Sequence, residues 1–314
     1  MKWEKRGFIW APSGQYNFMN SHTSPINAVL IEDVIRVYFS SRGKIDKDGN
    51  YTSYPCYVDL SKNNPKEILD ICKKPILDLG ENGYFDEHGI MVAKSIKYNE
   101  ELWMYYMGWQ RHANKKAPYQ VSLGLAKSCD NGRSFQKYSK GPIMCKDIYD
   151  PISIGNVYTI INDDTWYMYY TSYNRWEYNG IKATPEYNIK LATSRDGITW
   201  EKNNVVIIPE DENGGVATPC VFKYKGKYRM LFGYRKSYCI DGKTAGYKIG
   251  YAESDDLIHW IRNDETVIIN PSPKGWDSEM ICYPDVLEID GKIYMFYCGN
   301  GFGATGFGYA ELVD

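Results

Sequence analysis

Two sets of charged side chains recur in this 314-residue chain at spacings that could build a reactive site. Asp86, Asp150, Glu212 and Asp277 each stand 18 residues before the second residue of a recurring apolar phrase. Arg42, Arg111, Arg175 and Arg235 follow the same phrases by five to seven residues, with Asn300 in the fifth place. Carboxylates that face each other can divide acid and base work, because crowding raises one pKa and keeps that group protonated. Arginine presents a planar fork that takes a carboxylate or phosphate with two parallel hydrogen bonds. A plainer reading stands beside this one. Asp is common in turns before strands, and each arginine could simply neutralise a neighbouring acid. Glu279, His22, His88 and His112 fall in the same loops, as do the aromatic residues Trp109, Tyr173, Trp176, Tyr234 and Phe302. Aromatic faces stack on the C–H faces of sugars, although half of these rings are expected to serve packing. The histidines lack the spacing of a metal motif, so they read as hydrogen-bonding groups and no metal or cofactor is expected.

The phrases that set this register are Arg36-Val37-Tyr38-Phe39, Trp103-Met104-Tyr105-Tyr106, Tyr167-Met168-Tyr169-Tyr170, Arg229-Met230-Leu231-Phe232 and Tyr294-Met295-Phe296-Tyr297. Their second residues, 37, 104, 168, 230 and 295, lie 67, 64, 62 and 65 residues apart. A long fixed period means one supersecondary unit repeated. The phrases are short and rich in β-branched and aromatic residues, so each unit is built of strands. The third unit reads as strands at 156–161, 166–173, 187–193 and 200–208, with the hairpin signal Ser194-Arg195-Asp196-Gly197 before the last. The final unit has no fourth strand of its own. Trp3-Glu4-Lys5 repeats Trp200-Glu201-Lys202, so the N-terminal strand is expected to complete it. The predicted fold is all-β: a five-bladed β-propeller of four-stranded antiparallel blades, one domain over residues 1–314, closed by the N-terminal strand. Closure removes exposed sheet edges. In such a blade the loops before the first strand and the loops between second and third strands share one end of the axis. The carboxylates and the arginines therefore belong to one face.

Bulk composition narrows the function. A net charge of −2 and a pI near 6.2 supply no positive field for nucleic acid or an anionic membrane. No segment approaches the roughly 20 apolar residues of a membrane span. The start Met1-Lys2-Trp3 leads into no apolar leader, and eight cysteines are scattered without CxxC spacing. Reduced thiols and a cytoplasmic location are expected.

The chain resembles the five-bladed propeller glycosidases, the superfamily of glycoside hydrolase families 32, 43, 62, 68 and 130. The residues that carry the resemblance are the Ser194-x-Asp196-Gly197-x-x-Trp200 turn, the stretch Trp276-Asp277-Ser278-Glu279 with Tyr283-Pro284-Asp285-Val286, and Gly299-Asn300-Gly301-Phe302-Gly303. The resemblance implies hydrolysis or transfer of glycosidic bonds by carboxylates at the start of inner strands. It points to Asp86 and Asp150 as functional acids, with Asp277, Glu279 and Glu212 next. Arg42, Arg111, Arg175 and Arg235 would clamp an anionic group, helped by His22, His88, Trp109, Trp176 and Asn300. The first unit departs from the superfamily pattern, because Asn20-Ser21-His22-Thr23-Ser24-Pro25 offers no acid. Three readings stay open: another unit supplies the base, phosphate held by arginines is the nucleophile, or the protein binds a glycan without cleaving it. In each the partner is a carbohydrate, with an anionic one the sharper choice.

Overall fold

The computed structural model describes residues 1–211, 214–235, 239–240, 243–244, 246–267 and 269–313. Among them the strands pair as five antiparallel runs of four, with one further short pair, Cys239–Ile240 and Lys243–Thr244. The first run is Ile26–Ile31, Val34–Arg42, Ser53–Ser61 and Ile68–Ile71. The second is Ile90–Tyr98, Glu101–Arg111, Tyr119–Ser128 and Gln136–Lys137. The third is Ser153–Asn162, Thr165–Tyr178, Ala183–Ser194 and Glu201–Ile208. The fourth is Gly215–Tyr224, Lys227–Arg235, Lys248–Ser254 and Ile261–Arg262. The fifth is Cys282–Ile289, Lys292–Cys298 and Phe307–Leu312, completed by Trp3–Trp10. The N-terminal strand runs from Trp3 opposite Leu312 to Trp10 opposite Phe307, as its repeat of Trp200-Glu201-Lys202 predicts. A single parallel bridge, Tyr187 to Gly215, joins the third and fourth runs.

The repeated phrases are the second strands, and their anchors Val37, Met104, Met168, Met230 and Met295 are wholly buried. The first strands touch one another in cyclic order: Ile26–Ile31, Ile90–Tyr98, Ser153–Asn162, Gly215–Tyr224, Cys282–Ile289 and back to the first. Tyrosines one residue past the anchor tie neighbouring runs together. Tyr38 donates to the Gly132 carbonyl (2.9 Å), Tyr105 to that of Gly197 (2.7 Å) and Tyr169 to that of Leu257 (2.7 Å). Each acceptor sits in a third-to-fourth-strand turn that is itself built alike. In the Ser194 turn, the Gly197 N–H donates to the Ser194 hydroxyl, and Asp196 accepts from Ile198 and Thr199.

Two elements differ from the sequence reading. The hairpin of the third run is longer, extending to Tyr178 opposite Ala183. It continues because the Arg175 and Glu186 side chains pair across the strands at 2.9 Å, which makes polar positions good strand partners. Four of the five first strands also carry a bulge near their start, between Val92 and Lys94, Ile154 and Val157, Ala217 and Cys220, and Cys282 and Asp285.

Candidate functional site

The carboxylates picked out by their register do not meet in an open cavity. Asp86, Asp150 and Asp277 are buried inside their own runs, at 0%, 0% and 2% exposure. Each accepts a hydrogen bond from a tyrosine 20 residues on: Tyr106 (3.1 Å), Tyr170 (3.0 Å) and Tyr297 (3.0 Å). Each is also paired with a lysine of the fourth strand: Lys137 (2.6 Å), Lys202 (2.8 Å) and Lys5 (2.6 Å). These lysines stand two residues after Phe135, Trp200 and Trp3. The fourth run repeats the device with Asp211, held by Arg262 at 3.1 Å, while Arg262 lies over the Phe232 ring. Glu212, the residue at the predicted register, lies outside the described residues. In the first run the same places hold Met19 and Phe39, both wholly buried in the apolar core. The acid-lysine-tyrosine unit is therefore a pin between the loop, second strand and fourth strand of one run, exchangeable for an apolar contact. Burial works to raise the Asp150 pKa, but hydrogen bonds from Lys202, Ser172 and Lys190 outweigh it and hold this carboxyl below its usual range.

The predicted arginines separate into two kinds. Arg42 and Arg111 line a cavity at one end of the molecule, as expected. Arg175 points instead along its hairpin to Glu186 and Glu177. Arg235 is buried behind the cavity wall, donating to the Pro185 carbonyl (2.6 Å) and the Tyr247 hydroxyl (3.3 Å). Asn300 is folded into its own turn, where its carbonyl oxygen accepts from the Glu279 and Met280 backbones. Glu279 is exposed and does not line the cavity. His88 and Trp109 line it. Trp176 forms a second layer, edge-on to Tyr119 at 4.8 Å. His22 does not line the cavity, and burial together with Arg42 lowers its pKa to about 4.

The cavity has a volume of about 570 Å³ and takes residues from all five runs. The first gives Ser24, Pro25, Arg42 and Tyr51; the second His88, Trp109, Arg111, His112 and Tyr119; the third Thr171, Tyr173, Lys182 and Tyr187. The fourth gives Ala217, Thr218 and Tyr247, and the fifth Tyr283 and Phe302. These are the two loop classes that the strand order places at one end. Among the described residues no aspartate or glutamate lines the cavity. The Trp109 indole N–H and the Thr171 hydroxyl, both at the wall, find no partner among the described residues. The cations gather on the side of the first three runs, and the other side is mainly aromatic and hydroxylic. A site so composed can neutralise an anionic group and stack a ring beside it.

Sequence reasoning missed the residues that the bulges aim into this space. Asn156, Thr218 and Tyr283 are bulge residues of the cavity wall, and Thr218 and Tyr283 hold φ values of 56° and 55°. Side chains forced into that region cluster at functional sites. A signal was present: Pro219 and Pro284 interrupt strand patterns, and proline inside a strand marks a bulge.

Below the cavity, residues ten before each anchor close the axis: Asn27, Lys94, Tyr158, Cys220 and Asp285. Asp285 accepts from the Ala28 N–H (2.6 Å) and the Asn27 amide (3.1 Å), with Lys94 at 3.6 Å and the Cys220 thiol at 3.9 Å. Lys94 lies over the Tyr158 ring at 4.1 Å. Burial raises the Asp285 pKa against the opposing pull of Lys94.

The family model described as glycosyl hydrolases family 32 N-terminal domain matches residues 154–305. An uncharacterized protein of Mycobacterium tuberculosis (strain CDC 1551 / Oshkosh) is 35% identical over 315 residues, 99% of each chain. The chain belongs to the family of this mycobacterial protein, within the β-propeller glycosidase superfamily. A second relative, a 1,2-beta-oligomannan phosphorylase of Thermoanaerobacter sp. (strain X514), is 29% identical over 189 residues, 59% of this chain and 56% of its own. A solved thermostable family-43 glycoside hydrolase superposes with a TM-score of 0.66 at 19% identity, covering 93% of this chain and 88% of that one. That likeness concerns the propeller fold.

Proposed function

We propose that this protein is a five-bladed propeller, one domain over residues 1–314, that binds a negatively charged carbohydrate in its axial cavity and acts on it there. The observation that carries this reading is the lining itself: Arg42, Arg111, His88, His112 and Lys182 beside a wall of aromatic rings, with no carboxylate among the described lining residues. Its volume of about 570 Å³ suits a small sugar ligand. Two-carboxylate hydrolysis needs an acid and a second carboxylate roughly 5–9.5 Å apart across the scissile bond. Asp86, Asp150 and Asp277 are committed to lysines within their blades and do not supply that pair.

Phosphorolysis is the second reading. The relative named as an oligomannan phosphorylase favours it, because inorganic phosphate would fit the same arginines. Calorimetry with glucuronate, a sugar 1-phosphate, inorganic phosphate and their neutral sugar counterparts tests both. The anionic ligands should bind at least tenfold more tightly than neutral sugars, and Arg42→Ala with Arg111→Ala should remove the difference. Equal affinity for neutral and charged sugars would sink the proposal. Turnover of a glycoside only when phosphate is added would select the second reading.

A further inference from the structure

The end of the molecule that holds the cavity also carries apolar side chains that the cavity does not use. Among the described residues, the two most exposed large apolar side chains are Ile181 (90%) and Ile148 (87%). Both stand at that end. Ile181 is on the hairpin tip 178–183, between the second and third strands of the third run, and Ile148 is on the loop 145–150 before its first strand. The loop 43–52 of the first run adds a third exposed isoleucine, Ile45. The three loops share one composition. Each has an exposed isoleucine, an exposed tyrosine and an exposed lysine: Ile45, Tyr51 and Lys44; Ile148, Tyr149 and Lys146; Ile181, Tyr178 and Lys182. We propose that this end of the propeller docks on an anionic lipid surface, with the isoleucines entering the acyl boundary, the tyrosines at the interface and the lysines among the headgroups. The docking goes beyond the anionic-carbohydrate reading. Only its consequence, that the cavity mouth then faces sugars carried on lipids, rests on that reading.

An Asp or Asn side chain organises each tip. Asp46 Oδ1 accepts from the Asp48 and Asn50 N–H groups (3.0 and 2.8 Å). Asp147 Oδ1 accepts from those of Tyr149 and Asp150 (2.9 and 3.0 Å), and Asn179 Oδ1 from those of Ile181 and Lys182 (3.0 and 2.9 Å). The isoleucines are thus presented on ordered turns, so docking costs little further ordering of the chain.

The charges of these loops are sorted in the same direction. Asp46 pairs with Arg111 at 3.5 Å, Asp147 with Lys202 at 2.7 Å, and Glu177 and Glu186 with Arg175 at 2.9 Å. Those acids are engaged by cations of the protein itself. Lys44, Lys47, Lys146 and Lys182 are exposed, and Lys115 and Lys116 join them from the neighbouring loop of the second run, with Asp48 the exposed acid among them. The whole chain has a net charge of −2, so the attraction is local and acts within about a Debye length of the surface. A protein partner would call for a contiguous apolar face. Here each isoleucine stands on its own tip, within two residues of a lysine. That pattern suits a surface whose charged and apolar layers lie close together, where affinity grows with both buried apolar area and attraction to anionic lipid.

The test is co-sedimentation of the full chain with vesicles of phosphatidylcholine alone and of equimolar phosphatidylcholine and phosphatidylserine. Binding to the anionic vesicles should be tighter by about tenfold or more. Ile148→Ser combined with Ile181→Ser should weaken it by about tenfold or more at unchanged melting temperature, because both side chains already face water in the free protein. Lys44→Ala and Lys146→Ala should each weaken it about fivefold, and raised salt should erase that difference while keeping the isoleucine effect. Calorimetry with glucuronate and a sugar 1-phosphate runs on the same proteins, and the isoleucine variant should match its parent. Vesicle binding without sugar binding would support docking and sink the carbohydrate reading. Sugar binding without vesicle binding would sink docking alone. Vesicle binding that the isoleucine changes leave intact would overturn the proposal, since charge alone would then explain it. Self-association removed by those same changes, with no vesicle binding, would assign the tips to a second copy of this chain and overturn it as well.

Discussion

At the scale of single residues, the same side-chain types serve two ends that sequence spacing alone does not separate. Asp86, Asp150 and Asp277 share a register because they repeat a structural pin, and the pin repeats because the unit does. Asp150→Asn should therefore cost stability and spare the cavity. It strips the charge that Lys190 and Lys202 share at 3.0 and 2.8 Å, and breaking one partner of a buried pair costs about 3 kcal/mol or more. A denaturant titration should show that loss, with anionic-ligand affinity unchanged in the folded fraction. The acid limb of the stability curve should change too. The Asp150 pKa is depressed in the folded state. Its stabilisation is present above the unfolded value of about 3.9 and is lost as pH falls through the lower folded value. His22 acts in a different window. Its pKa falls from 6.5 to about 4, so its contribution is full above 6.5 and is lost as pH drops towards 4. His22→Asn, chosen because Asn tolerates the φ of 66°, should flatten stability across that interval when melting is followed at successive pH values.

At the scale of elements, the third-to-fourth-strand turns and the N-terminal strand carry the unit-to-unit connections. Gly132 has a φ of 76°, and a Cβ there would lie 1.9 Å from the Tyr38 hydroxyl oxygen. Gly132→Ala should cost more than about 1 kcal/mol through backbone strain and through loss of the Tyr38 hydrogen bond between runs. A chain beginning at Ala11 would leave the Phe307–Leu312 edge unpaired and Asp277 without Lys5. It should melt at lower temperature and self-associate on size exclusion, because an exposed strand edge templates pairing with another chain. The Trp3-Glu4-Lys5 repeat made this pairing legible in advance. The long hairpin to Tyr178 was not legible, since Arg175, Glu177 and Glu186 look like loop residues until their cross-strand pairing is seen.

At the scale of the whole molecule, five short units make one site that none contains. The axial layer shows the coupling most directly: five residues, each ten before its anchor, converge from five strands beneath the cavity. Asp285→Ala should leave Lys94 buried without its carboxylate, and Lys94→Met should leave Asp285 without its cation. The two single changes should together cost more than the double change does, with a coupling of about 1–3 kcal/mol in a double-mutant cycle. Additive losses would show that the two charges act independently.

The repeat, the strand content, the closing N-terminal strand and the face on which Arg42, Arg111, His88 and Trp109 stand were all determined by the sequence, because hydrophobic period and turn chemistry are local properties. The fate of the charges was decided only by tertiary structure. Whether an aspartate meets a lysine two residues past a distant aromatic, or opens onto a cavity, depends on the packing of segments up to 272 residues apart, as with Lys5 and Asp277. The bulges that turn Thr218 and Tyr283 inward set the cavity's character in the same way. Burial and partner choice are collective quantities, and they turned a predicted ring of acids into internal pins around a cationic, aromatic space.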